Sequence, residues 1–168
     1  MGTATLLLAK LAGCTVIATT RYARNADALE RCGADLVVDS GRADAVQTIR
    51  AFTGGEGVDG AVEYTGAPEL MRLCIDSMRL GGTFCPVGGE MRQVPLRVVD
   101  LVSKELNVHG VRASTRNDQR IVVELMEKGR IKMPIHAVLP LSKAGEAHAK
   151  LERGEDLVGR IVLRPWDD

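Results

Sequence analysis

The sequence predicts an α/β domain built on a doubly wound parallel sheet that is incomplete, lacking its first strand. Three observations carry that expectation. Helical patterns end at glycine and are followed within a few residues by β-branched runs, those runs are continuously apolar rather than alternating, and the beat persists along most of the chain. Continuously apolar strands suit a parallel sheet covered by helices on both faces.

Taken in order, Gly2-Thr3-Ala4 leads straight into an apolar helix from Leu6 to Ala12, whereas a doubly wound domain ordinarily opens with a strand feeding a glycine turn. Gly13 closes this helix before a strand at Thr15 to Thr20, and Gly33 precedes a strand at Leu36 to Asp39. Ala43 to Phe52 reads as a helix stopped by Gly54 and Gly55 before a strand at Gly60 to Tyr64. Met71, Cys74, Ile75 and Met78, at i, i+3, i+4, i+7, mark a buried stripe on a helix from Pro68 to Met78. Gly81 and Gly82 are expected to stop it before a strand at Thr83 to Val87. Ala144, Ala147, His148 and Leu151 repeat the spacing behind Ser142, a candidate N-cap, which makes His148 a packed residue rather than a ligand. Arg160 to Arg164 reads as a final strand. The architecture is Rossmann-like, and with no Pro- or Ser-rich linker it is expected to form a single domain over residues 1–168.

Composition excludes several function classes. The 168 residues carry 22 basic and 22 acidic side chains, so no global basic field holds a phosphate backbone, and nucleic acid is not an expected partner. With one Trp, two Tyr and two Phe, stacking platforms for single strands are lacking and the core is expected to consist of Leu, Val, Ile and Ala. Cys14, Cys32, Cys74 and Cys85 form no C-x-x-C pair and read as buried, reduced thiols of a cytoplasmic protein. The apolar stretch Thr3 to Ala12 is broken by Lys10 and too short to span a bilayer, so no membrane association is expected. Neither a G-x-S-x-G elbow nor a P-loop occurs. Tyr64 has no Lys or Ser at helical spacing to make it a catalytic acid.

The remaining motifs concern a dinucleotide. Gly2 fits the last glycine of a dinucleotide fingerprint, where helix and sheet pack too closely for a side chain; it reads equally as a chain end. After the following strand, where an acidic residue would bind an NAD ribose, the chain reads Thr19-Thr20-Arg21-Tyr22-Ala23-Arg24, with no carboxylate until Asp27. Two guanidinium groups suit a 2′-phosphate and so NADP; as a helix edge, they would instead pair with Asp27 and Glu30. Val58 through Pro68 is a strand, a small-residue turn and a Pro-led helix, the kind of turn that forms a ligand crevice at the carboxyl end of a parallel strand. Pro86-Val87-Gly88-Gly89 lets backbone approach a flat ligand, or is simply a turn.

Together these segments resemble the medium-chain dehydrogenase/reductase superfamily, which comprises the zinc-type alcohol dehydrogenases and their zinc-free quinone oxidoreductase relatives. The resemblance rests on Gly2-Thr3-Ala4 through Lys10, Cys32 through Asp35, Gly57-Val58-Asp59, Glu63 through Pro68, Leu80 through Thr83, Lys104-Glu105-Leu106, and Leu157 through Leu163, in the family's order. It implies that Thr20, Arg21 and Arg24 face the adenosine phosphate, and that Tyr64, Thr65 and Gly66 border the adenosine and ribose. Val87, Gly88 and Gly89 would lie along the nicotinamide, backbone groups of Val111, Arg112 and Ala113 would receive its carboxamide, and Arg160 would approach the pyrophosphate. The cofactor so implied is NADP, with NAD as the other possibility.

The resemblance also implies a domain truncated at its N-terminus. The family's substrate domain, with its catalytic zinc ligands where it has them, precedes the nucleotide domain and is not among these residues, nor is the central first strand. A gap there would leave strand edges unpaired and favour homo-oligomers through sheet edges. The expected function is the cofactor-binding portion of an NADP-preferring oxidoreductase that transfers hydride between nicotinamide and an alcohol, aldehyde, ketone or quinone, with little turnover by this chain alone. No residue is assigned as catalytic or as a metal ligand. The alternative is a non-catalytic nucleotide-binding or oligomerisation module.

Overall fold

A computed structural model describes residues 1–88, 96–153 and 158–166 of the chain. Helices and strands alternate: α1 (Gly2–Leu11), β1 (Ile17–Thr20), α2 (Ala26–Arg31), β2 (Leu36–Asp39), α3 (Ala45–Phe52), β3 (Val58–Glu63), α4 (Pro68–Ser77), β4 (Met78–Pro86), α5 (Val98–Val102), β5 (Asn107–Val108), α6 (Arg116–Glu127), β6 (Ile135–Pro140), α7 (Ala144–Glu152) and β7 (Arg160–Arg164). The strands form three hydrogen-bonded sheets, ordered β1-β2, β3-β4-β5 and β6-β7. The pairs β3-β4, β4-β5 and β6-β7 are parallel. No strand among the described residues bonds to both β1 and β3. The incomplete doubly wound sheet expected from the sequence is therefore present.

The chain divides into two compact units, Met1–Ala18 with Tyr22–Val37 and Arg120–Asp168, and Thr19–Arg21 with Val38–Gln119. In the first, Lys10 near the end of α1 pairs with Asp35 at 2.7 Å, and Asp35 also accepts the Val16 N–H at 2.7 Å. One carboxylate thus ties α1 to the entries of β1 and β2. The Lys10 stem also lies against Gly33, where a Cβ would come within 3.1 Å of it at a backbone φ of +100°.

In the second unit, Met71, Ile75, Met78 and Phe84 form the core, with Val58, Ala61, Cys74 and Leu106 packed around them. The helical stripe holds, but its last member does not belong to the helix. Met78 turns to extended backbone and opens β4, where it is fully buried. Gly81 and Gly82 accordingly do not stop the helix; they lie inside β4, where Val58 pairs with Met78 but Gly60 pairs with Thr83. The extra residues bulge out, and Gly81 adopts a φ of +70° there. The end of α4 is held by cations instead: Lys104 Nζ donates to the carbonyls of Ile75, Asp76 and Met78, and Arg50 donates to those of Asp76 and Met78.

Other expectations also change. The core includes Met and Phe beside the aliphatic residues, because Met78 and Phe84 fill the space between α4 and β4. Ser142 lies in a 3-10 turn, Leu141–Lys143, and the N-cap position of α7 is taken by Lys143. His148 is exposed, since α7 buries Ala147 while His148 and Leu151 face solvent. The four cysteines are free, but Cys14 is exposed and the others are half-buried. Strands are not covered on both faces within either unit: Val62 in β3 and Val138 in β6 remain 41% and 44% exposed. Among the described residues, no helix is long and apolar enough to cross a membrane.

Candidate functional site

In the second unit the carboxyl ends of β3, β4 and β5 coincide, because Glu63 pairs with Pro86 and Phe84 with Val108. Beyond each end the chain turns. After β3, the carboxylate of Glu63, itself only 4% exposed, bends back over the turn. Its Oε1 accepts the Thr65 N–H at 2.6 Å and the Thr65 hydroxyl at 2.5 Å, and its Oε2 accepts the Gly66 N–H at 2.8 Å. Thr65 Oγ1 in turn accepts the Ala67 N–H at 3.0 Å, just before Pro68 opens α4. Gly66 has a φ of +74°, a conformation that glycine adopts without steric cost.

The turn after β4 is bonded to the same residue. The Glu63 carbonyl accepts N–H groups from Val87 at 2.8 Å and Gly88 at 3.0 Å. A Cβ on Gly88 would lie 2.2 Å from the Gly66 nitrogen and 2.6 Å from the Tyr64 carbonyl carbon. The two turns therefore touch backbone to backbone. The third segment runs on beside β4: His109 N–H bonds the Phe84 carbonyl at 2.9 Å and Val111 N–H the Pro86 carbonyl at 3.4 Å. Ala113 then takes a left-handed φ of +55°, uncommon outside glycine. Thr115 and Asp118 exchange hydrogen bonds of 2.8 to 3.1 Å that start α6. Of the residues read from the sequence, this edge brings together Tyr64, Thr65, Gly66, Val87 and Gly88, with Val111, Arg112 and Ala113 following β4. Gly89 lies outside the described residues.

Thr20 and Arg21 belong to the same unit, at the carboxyl end of β1, where Ser40 N–H bonds the Thr20 carbonyl at 2.9 Å. A Cβ on Gly41 would be 4.0 Å from the Arg21 Cγ, so the Arg21 stem lies beside the turn after β2. Arg21 makes no ion pair with Asp27 or Glu30 among the described residues.

In the first unit, Arg24 sets its guanidinium 5.2 Å from the centre of the Tyr22 ring. Gly2 occupies the first turn of α1, which holds no acidic side chain, and a Cβ there would meet nothing within 4 Å. Burial, and then the charge of Arg160, hold the Met1 amino group below its ordinary pKa.

Sequence reasoning missed Glu63 as the organiser of this edge, although its signal, an acceptor two residues before Thr65 and three before Gly66, is a local turn pattern. Beneath the turn, burial, followed by the charge of Glu63, pushes the Cys74 thiol up to about 12, so it stays protonated. Among the described residues, no group of three His, Cys, Asp or Glu side chains is placed to hold a metal ion, and the donor set does not fit zinc.

The profile of the zinc-binding dehydrogenase family matches residues 1–128. The chain is 33% identical to an alcohol dehydrogenase of Rhizobium meliloti over 92% of its own length and 44% of that protein. It is 29% identical to a D-arabinose 1-dehydrogenase (NADP(+)) of Saccharolobus solfataricus, over 95% of the chain and 45% of the relative. A solved NAD-dependent alcohol dehydrogenase superposes with a TM-score of 0.86 at 28% identity, covering 96% of this chain and 47% of that one. The chain thus spans somewhat less than half the length of these relatives.

Proposed function

Since the chain belongs to the zinc-binding dehydrogenase family, we propose that it forms one nucleotide-binding domain, the cofactor-binding portion of an oxidoreductase that prefers NADP. Its full-length parent would transfer hydride between the nicotinamide and an alcohol, aldehyde, ketone or quinone. The observation that carries this reading is the convergence of the Tyr64–Gly66 and Val87–Gly88 turns, with the 111–113 segment, at the carboxyl edge of three parallel strands.

The residues present fit a nicotinamide dinucleotide. Gly88 brings backbone against backbone where a flat ligand needs close approach, and Arg160 would approach the pyrophosphate. Thr20, Arg21 and Arg24 would take the adenosine phosphate, Tyr64 to Gly66 the adenosine and ribose, and the main chain of Val111, Arg112 and Ala113 the carboxamide. The cofactor supplies the hydride chemistry, and this chain's residues bind and orient it. The preference for NADP is supported by Arg21 at the end of β1, a guanidinium with no acidic partner among the described residues. The relatives include both NAD- and NADP-dependent enzymes. Any zinc, and the substrate pocket, are assigned to the part of the relatives that this chain does not span. The chain alone is expected to turn over little or no substrate. We place it in the cytoplasm, where its four free thiols stay reduced.

A fluorescence titration with NADPH and NADH tests the reading. Saturable binding is expected, tighter for NADPH, and Arg21→Ala with Arg24→Ala should weaken NADPH by about tenfold or more while changing NADH little. Equal losses for both would remove the phosphate assignment.

A second reading, an oligomerisation module, is favoured by a different observation. Among the described residues β5 ends its three-stranded sheet, and α5, which precedes it in the chain, exposes Val98, Val99 and Val102.

A further inference from the structure

Glu63 is a buried carboxylate with no cationic partner among the described residues. A buried carboxylate needs hydrogen-bond donors in place of water, and here the donors are the turn itself. Both side-chain oxygens are engaged, by the Thr65 N–H, the Thr65 hydroxyl and the Gly66 N–H. The main-chain oxygen of the same residue holds the Val87 and Gly88 N–H groups. Five donors from two turns thus converge on one residue, and the two turns meet where Gly88 has no room for a Cβ.

We infer that Glu63 is a positioning residue of the dinucleotide site: its carboxylate fixes the Tyr64–Gly66 turn while its main-chain carbonyl holds the Val87–Gly88 turn beside it, so that both line one wall of the cofactor crevice. The inference rests on the nucleotide-binding reading above. Glu63 touches no ligand in this role; it acts through the backbone of Thr65, Gly66 and Gly88. Glutamine has nearly the same shape but one acceptor oxygen, and it turns an amide N–H₂ toward donors that need an acceptor. Aspartate keeps the charge, and its oxygen can accept the N–H two residues ahead in an Asx turn. The carboxylate, rather than side-chain volume, is therefore what the site requires.

The test compares the 168-residue chain with Glu63→Gln and Glu63→Asp by fluorescence titration with NADPH and NADH, and by amide hydrogen exchange at Thr65, Gly66, Val87 and Gly88 without cofactor. Glu63→Gln should weaken both cofactors by about tenfold. It should leave the ratio between them unchanged and speed exchange at those amides. Glu63→Asp should recover binding to within about threefold. If Glu63→Gln does not fold, Thr65→Val removes only the hydroxyl donor and should produce the same loss in smaller measure. Glu63→Gln binding both cofactors as tightly as the unsubstituted chain overturns the inference and leaves the nucleotide reading standing. Glu63→Asp as weak as Glu63→Gln also overturns it, since charge would then not matter. Failure of the unsubstituted chain to bind either cofactor overturns the nucleotide reading and the role of Glu63 with it.

Discussion

At the scale of single residues, the site depends on where side chains are absent as much as on where they are present. Gly88 and Gly66 touch through backbone atoms, and a methyl group at position 88 would sit 2.2 Å from the Gly66 nitrogen. Flexible side chains could swing away, but main chain cannot, so Gly88→Ala should cost about 1–3 kcal/mol of stability. Urea denaturation should show that loss as a lower midpoint with an unchanged slope. The sequence marks Gly88 as permissive and no more; that it is obligatory follows from its neighbour, which is 22 residues away in the chain. Arg21 is the reverse case: its place after β1, with no carboxylate before Asp27, is plain in the chain alone because that pattern is local.

At the scale of elements, α4 shows how distant cations finish what a helix leaves open. Its last carbonyls accept from Lys104 and Arg50, neither of them near it in sequence. Lys104→Met removes the donors and keeps the apolar stem, so it should cost about 1–3 kcal/mol, read by thermal or urea unfolding. Arg72 of α4 bonds both Asp76 and the buried Asp100 of α5, which Arg97 also bonds. Arg97 first and Arg72 second hold the Asp100 carboxyl well below the usual carboxylate range, and Arg72 lowers Asp76. Both groups are more acidic folded than unfolded. Their stabilisation is therefore complete above the unfolded value of about 4 and is lost as pH falls below it. Urea midpoints measured from pH 7 to pH 3 should drop on the acid side, and Asp100→Asn should lower the pH 7 midpoint and flatten that drop. The stripe on α4 was legible from spacing, but the switch to strand at Met78 was not. Continuing the helix would have kept the period, yet Met78 gains full burial by pairing with Val58.

At the scale of the whole molecule, the exposed apolar side chains on α5, and the edge of β5 that bonds no further strand among the described residues, make self-association the expected solution behaviour. Sedimentation velocity over a range of concentrations should show a dimer or larger species, and Val99→Glu with Val102→Glu should shift it toward monomer. The sequence by itself determined the α/β alternation, the strands at 36–39 and 160–164 and the family, since all of these reside in local periodicity, turn chemistry and motif order. It did not determine that His148 faces water, that Lys143 rather than Ser142 takes the N-cap position of α7, or that Glu63 gathers five donors from two turns. Those were decided by the tertiary structure. Burial and hydrogen-bond satisfaction depend on which segments meet, and a segment's own pattern says what it can bury without saying what will cover it.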